Sequence, residues 1–178
     1  GSELQQAIHD RLAAHGFQAG EEETLLICGL DDAPARLFDG RGHTVERLTD
    51  PAQIAEVVAV EEQVWGEDKH ELAQRLRRDM ASDPDCLSVF VARVDGVPVG
   101  AAWISYTPDS EFASLWGGSV LEAYRGRGVY GALLAARASE ARQRGRHFLM
   151  IDAGPMSRPI VAALGFTPVA ATWPCALE

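Results

Sequence analysis

The residues best suited to chemistry lie in one run, Gly117-Gly-Ser-Val-Leu-Glu-Ala-Tyr-Arg-Gly-Arg-Gly-Val-Tyr-Gly-Ala-Leu-Leu134. It leads from an apolar, strand-like segment to an amphipathic, helix-like one through Arg125-Gly126-Arg127-Gly128. At a helix start the first amide N–H groups point outward, and the helix dipole adds partial positive charge. Glycines allow a phosphate to approach that backbone, and two arginines add formal charge. The pattern is that of a phosphate cradle.

One literal match is rejected. Gly126-x-Gly128-x-x-Gly131 has the spacing of a dinucleotide fingerprint, and Asp152 lies 21 residues beyond Gly131. In that fingerprint the first glycine follows the strand directly. Here Leu121–Arg125 intervene, and only 26 residues follow Asp152, too few for the remaining strands of a doubly wound sheet. A P-loop fails because no Gly-Lys-Ser/Thr follows.

A second feature is a carboxylate out of place. Over residues 51–65, Ile54, Val57, Val58, Val64 and Trp65 fall on one face at about 100° per residue. Glu61 sits in the middle of that face and Glu62 at its edge. A carboxylate in an apolar stripe is costly unless it is paired or wet. It either lines a wet cleft, pairs with an arginine, or snorkels. Tyr124 and Tyr130 flank the glycine loop as possible acids or packing groups. Ser157 precedes a short helix, where capping is its default role. Trp65, Trp103 and Trp116 read most simply as core, although any of them could wall a pocket.

The elements that must position these residues follow from period and punctuation. Helix is expected over 3–15, ending at His15-Gly16-Phe17, and strand over 24–28. Residues 31–42 read as a linker. A strand covers 44–48, and Thr49 or Asp50 caps a helix with Pro51 in its first turn, running to about residue 65. A second helix covers about 71–80 and stops before Asp83-Pro84. Strands 87–94 and 97–106 form a hairpin about Asp95-Gly96, a pair that accepts positive φ. Strand 112–120, helix 129–144, strand 148–152, helix 158–164 and strand 166–172 complete the chain.

The loop and this order together resemble the GCN5-related N-acetyltransferase (GNAT) superfamily. That family's loop, Arg/Gln-x-x-Gly-x-Gly/Ala after a bulged strand, is filled by Arg125-Gly126-Arg127-Gly128-Val129-Tyr130, and the likeness covers residues 44–172. The resemblance implies an α/β (α+β) fold: a mixed, mostly antiparallel sheet, splayed beside strand 112–120, with helices on both faces. Gly117-Gly118 would supply the bulge. It implies acetyl-CoA as co-substrate, with no metal. Gly118, Ser119 and Val120 would hold the thioester end, and Arg125, Gly126, Arg127, Gly128, Val129, Tyr130 and Gly131 the pyrophosphate. The implied activity is direct transfer of an acetyl group to the primary amine of a small molecule or peptide in a ternary complex. Glu61 is the candidate base, with Tyr130 and Ser157 as further catalytic candidates.

Three departures mark the catalytic half. Tyr130 is bulkier than the usual small residue of the loop. Gly154 stands where many members have Asn, and Val161 where many have the Tyr that protonates the leaving thiolate. The alternative that follows is a non-catalytic acyl-CoA-binding or sensing domain.

Composition bounds the rest. The chain has 178 residues, 47% of them apolar and 24% charged, enough for one ordinary core. A domain over 43–178 is expected, with 1–42 as a helix-strand appendage and linker. Leu12-Ala-Ala-His-Gly-Phe17 echoes Val161-Ala-Ala-Leu-Gly-Phe166, so that appendage reads either as a common junction or as the tail of a similar half-domain. Gly1-Ser2 reads as an added scar. The net charge of −10 argues against nucleic acid, and no apolar run is long enough for a membrane span. Residues 111–160 hold seven Arg against four acids, a local +3 that leaves −13 elsewhere. That segment is the expected anion site, the remainder a weak hint of a cationic acceptor. Arg142, Arg144 and Arg146 are expected simply to solvate a helix face. Three scattered cysteines and five scattered histidines build neither a disulfide framework nor a zinc site, so the cytoplasm is the default. One Lys against 15 Arg suggests a bacterial source. A homodimer is left open.

Overall fold

The computed structural model describes residues 2–177; Gly1, half of the expected scar, and Glu178 lie outside the described residues. The element order is α1 (Ser2–Ala13), β1 (Phe17–Ala19), β2 (Glu23–Gly29), β3 (Thr44–Leu48), α2 (Ile54–Trp65), α3 (His70–Ser82), β4 (Leu87–Val94), β5 (Val97–Tyr106), β6 (Phe112–Val120), α4 (Val129–Gln143), β7 (Phe148–Ala153), α5 (Arg158–Ala163), β8 (Thr167–Thr172) and β9 (Cys175–Leu177). Two compact units result, residues 1–27 with 151–178, and residues 28–150.

In the larger unit β3, β4, β5 and β6 pair antiparallel in that order, and β7 joins β6 in parallel. The end of β2 lies beside the start of β7, where the Leu30 amide donates to the His147 carbonyl at 2.8 Å. The hairpin β4–β5 turns on Asp95 (φ 51°) and Gly96 (φ 78°), the two positive φ values of a tight two-residue turn. β4 is buried along both faces, as a strand covered on both sides must be. Leu87, Val89 and Val91 pack with Ile54, Val57, Val60, Ala73 and Leu76 of α2 and α3. The alternate residue Ser88 points the other way, donating to Glu140 of α4 at 2.6 Å. Helices therefore cover both faces, as expected.

α2 starts where the sequence marks it. Asp50 accepts from the Ala52 amide at 2.8 Å across a single 3-10 turn, Pro51–Gln53, and Gly66 ends the helix at φ 69°. Parallel pairing of β6 with β7 covers Phe112–Ser114 and Phe148–Met150, while β6 continues to Val120.

The smaller unit pairs β1 with β9 and β2 with β8, both antiparallel. The Gly16-Phe17 junction marks where β1 opens, but β9 is not anticipated, since three residues are too few to show a period. Residues 31–42 are more than a linker. They form a 3-10 turn, Ala35–Phe38, that buries Leu37. The expectation for Arg142, Arg144 and Arg146 also changes. Arg142 stacks on Phe38 at 3.9 Å, Arg144 pairs with Glu140 at 2.7 Å, and Arg146 donates to the Ser110 carbonyl. A run of three Arg next to a chain reversal reads as solvated until the segments it returns to are known. Among the described residues, no helix is long and apolar enough to cross a membrane.

β6 is interrupted by a bulge. Ala101 pairs with Ser119 and Ala102 with Gly117, which leaves Gly118 unopposed. Gly117 (φ 67°) and Gly118 (φ 96°) both adopt left-handed backbone. A Cβ on Gly117 would stand 2.6 Å from the Trp103 ring. Gly117→Ala should therefore cost about 1–3 kcal/mol through φ strain and the displaced ring. Chemical denaturation checks this, with the larger loss expected there than at Gly96→Ala, where no atom lies within 4 Å of the added methyl.

Candidate active site

The glycine loop is built by the end of β6 and the start of α4. A 3-10 turn, Glu122–Tyr124, follows the strand, and Arg125 Nε reaches back to the Val120 carbonyl at 3.1 Å. Arg125 thus ties the loop to its strand. Gly126 (φ 72°) and Gly128 (φ 91°) turn the backbone so that α4 starts at Val129. The first-turn amides of α4 have no carbonyl four residues back within the helix, which leaves them for an anion. Arg127 lies over the Tyr124 ring at 5.4 Å, and its carbonyl takes a 2.7 Å hydrogen bond with His43 Nε2.

Sequence reasoning missed two residues here. A Cβ on Gly128 would stand 3.0 Å from Arg41 Cδ and 3.4 Å from His43 Nε2, and one on Gly131 would stand 3.9 Å from Arg41 Nε. Arg41 therefore lies along the loop as a third cation, beside Arg125 and Arg127. Its backbone has φ 51°, between Gly40 and Gly42. Eighty-odd residues of chain separation hid it, and only the Gly-Arg-Gly context hinted at a special backbone.

The bulge has two sides. On the α2 side, Glu61 is 4% exposed and Ser119 6%. The Trp65 indole N–H donates to Ser119 Oγ at 3.0 Å. Burial pushes the Glu61 carboxyl above its ordinary 4.5, partly offset by Ser119, by the positive charge of Lys69 and by Trp65. Glu61 Oε1 has no hydrogen-bond partner. No arginine pairs with Glu61 among the described residues, so pairing is not how its burial is resolved.

Trp103 is core, but Trp65 is 57% and Trp116 49% exposed, which corrects the core reading for both. Trp116 lies directly opposite Trp103 and so shares its face. Its indole donates to Ser105 Oγ at 3.0 Å. Glu61 is thus set in a face that carries two anchored, half-exposed indoles.

On the α4 side, a Cβ on Gly118 would stand 2.8 Å from the Tyr130 ring and 3.8 Å from Arg137 Nη2. Burial pushes the Tyr130 phenol up, so it holds its proton; the Arg137 charge opposes that shift. The larger unit therefore brings together Glu61, Ser119, Gly118 and Tyr130, with residues 125–131 at the start of the same helix as Tyr130. Ser157 belongs to the smaller unit. It precedes α5 with no side-chain cap, its hydroxyl donating to the Gly154 carbonyl at 3.4 Å. In that unit Val161 is fully buried and Asp152 accepts from Thr172 at 2.8 Å.

The acetyltransferase (GNAT) family model matches residues 54–166, and the chain belongs to that family. No curated protein matches it. Solved structures do. A GCN5-related N-acetyltransferase from Kribbella flavida is 20% identical with a TM-score of 0.65, over 90% of this chain and 59% of that one. An acetyltransferase of the GNAT family from Novosphingobium aromaticivorans is 19% identical with a TM-score of 0.64, over 90% of this chain and 66% of that one. The chain thus spans about two thirds or less of the length of these relatives. The aminoglycoside N-acetyltransferase AAC(6')-Iy in complex with CoA is 25% identical with a TM-score of 0.61, over 73% of this chain and 92% of that one.

The raised Glu61 pKa has a consequence for stability. A carboxyl harder to ionise folded than unfolded adds nothing at low pH, where both states are protonated. It destabilises increasingly as pH rises from the ordinary Glu value through its own folded value. Glu61→Gln lacks this penalty. The stability of the variant relative to wild type should therefore rise across that interval and then level off, as read from denaturation midpoints over a pH series.

Proposed function

We propose that the chain is an acetyl-CoA-dependent N-acetyltransferase acting by direct transfer in a ternary complex, with residues 43–178 carrying the reaction and the segment before them adding Arg41 to the co-substrate loop. The observation that carries this reading is Glu61: a buried carboxylate on α2, with one oxygen free, beside Ser119 of the bulged strand.

Acetyl-CoA supplies the activated acetyl thioester. The residues present fit it. The Gly126–Gly131 backbone and the α4 amides offer donors to a pyrophosphate, with Arg41 and Arg127 adding charge at the same place. Gly118, Ser119 and Val120 present the backbone of an interrupted ladder, whose amides can polarise a carbonyl.

The acceptor must lose a proton. A lysine-like amine has a pKa of about 10.4, so making it neutral at pH 7 costs about 4.6 kcal/mol. Glu61 Oε1 accepts that proton, and burial makes the carboxylate a stronger base than an exposed one. Tyr130, held protonated by burial on the other side of Gly118, is the proposed acid. Ser157, in the smaller unit with its hydroxyl already engaged, is given no part in the transfer.

The acceptor is proposed to be a small cationic amine. Support comes from the likeness to AAC(6')-Iy, an aminoglycoside N-acetyltransferase at 25% identity. It comes also from the Trp65 and Trp116 rings on the Glu61 face, since indoles attract cations. The acidic remainder of the chain has the matching sign. One observation favours the alternative of an acyl-CoA-binding domain without turnover: the position where many members carry an acid Tyr is Val161, fully buried.

Thiol release from acetyl-CoA across a panel of cationic amines tests the reading. Glu61→Gln should keep acetyl-CoA affinity and lose roughly 10²-fold or more in turnover, the scale of a lost general base. Glu62→Gln, on the exposed edge, should change turnover far less. Equal turnover of wild type and Glu61→Gln removes Glu61 as base; acetyl-CoA binding without thiol release on any amine favours the binding domain.

Gly128→Val should weaken acetyl-CoA binding at least tenfold in calorimetry, since a β-branched residue at φ 91° distorts the loop and displaces Arg41. Arg41→Ala should weaken it less, and increasingly little as salt is raised.

A further inference from the structure

Arg137 is fully buried in the middle of α4, and no acid pairs with it among the described residues. Its Nε donates to the Leu133 carbonyl of its own helix at 3.1 Å. Its Nη1 donates to two carbonyls on different strands, Trp116 at 3.1 Å and Trp103 at 3.4 Å. Its Nη2 has no hydrogen-bond partner and lies 3.8 Å from where a Cβ of Gly118 would stand.

Stability alone does not account for this side chain. Burying a cation without an acid is costly, and an apolar residue of similar volume often serves a core as well or better. Burial lowers its pKa to about 10, so it stays charged at neutral pH. What the guanidinium does is join the strands beside the bulge. Trp103 and Trp116 are cross-strand partners, and Gly117 and Gly118 follow Trp116 directly. One guanidinium nitrogen, Nη1, thus holds a carbonyl from each strand at the point where the ladder breaks.

We propose that Arg137 is a positioning residue that sets the bulge, and through it the aim of the Gly118–Val120 backbone toward the acyl end of acetyl-CoA. It acts through the main chain rather than on substrate. The proposal rests on the acetyl-CoA reading above.

The test uses the full chain and two probes in calorimetry. Acetyl-CoA engages the phosphate loop and the bulge; ADP carries only the diphosphate and nucleoside, and so reports on the loop. Arg137→Gln should bind ADP within about twofold of wild type but acetyl-CoA about tenfold or more weakly, the scale of hydrogen bonds from a charged donor. Arg137→Lys keeps the charge, but it loses the Nε bond to the Leu133 carbonyl and the rigid plane that aims Nη1, so it should fall between wild type and Gln. If Arg137→Gln does not fold, the same comparison is made on Arg137→Lys, with acetyl-CoA affinity expected about threefold down and ADP unchanged. Acetyl-CoA affinity within twofold of wild type in the folded variant overturns the proposal. So does an equal loss for both probes, which is what a general loosening of α4 would produce. Wild-type protein that binds neither probe sinks the acetyl-CoA reading and this proposal with it. Wild type binding both, with a flat acetyl-CoA response to the Arg137 variants, sinks the proposal alone.

Discussion

An antiparallel ladder normally satisfies every backbone donor and acceptor, and a satisfied ladder has nothing to offer a ligand. The one-residue excess in β6 breaks that rule. Gly118 has no partner on β5, and the two glycines turn through backbone that other residues rarely adopt. Each face of the break is filled by a large group. The Trp103 ring lies against Gly117, and Tyr130 with Arg137 against Gly118. The strand is wedged from both sides, so the interruption is held open by packing rather than left to fluctuate. The strand end, the loop and the start of α4 all take their positions from it.

The same interruption explains the distribution of buried polar groups. Glu61 and Arg137 are buried on opposite sides of β6, one a carboxyl and one a cation, and they do not pair with each other. Glu61 is held by Ser119, Trp65 and the more distant charge of Lys69, and Arg137 by main-chain carbonyls. Opposite charges kept apart by a strand cost stability that a salt bridge would recover in part. Proteins accept such costs at sites where function sets the geometry. Around Glu140 the charges do pair. Glu140 gathers Arg47, Arg144 and Ser88 into one network.

Much of this was legible in residue types. Alternation, the Asp-Gly turn and the Asp-Pro and Gly stops marked the strands and helices of the larger unit to within a residue or two. Glu61 could be singled out because its neighbours three and four positions away are all apolar. The same reasoning would have reached Arg137, whose neighbours at −4, −3 and +4 are Leu133, Leu134 and Ala141; an arginine in a helix, however, invites the assumption that it snorkels. Trp65 and Trp116 were read as core because indoles usually are. Their exposure depends on where α2 ends and on the bulge, neither of which is a property of the indole.

What the sequence determined by itself was local: which segments extend, which coil, where the chain turns, and that a glycine-arginine loop opens a helix. Those follow from period, propensity and φ preference, all of which act over a few residues. The tertiary structure decided what meets at the loop and the bulge. Arg41 reaches the loop from a segment that read as a linker, Ser119 rather than an arginine faces Glu61, and Arg137 turns inward to the carbonyls of Trp103 and Trp116. These contacts span from 21 to about 90 residues of chain. No short-range rule carries that information, because it depends on which sheet face each element covers and on the register in which the strands pair.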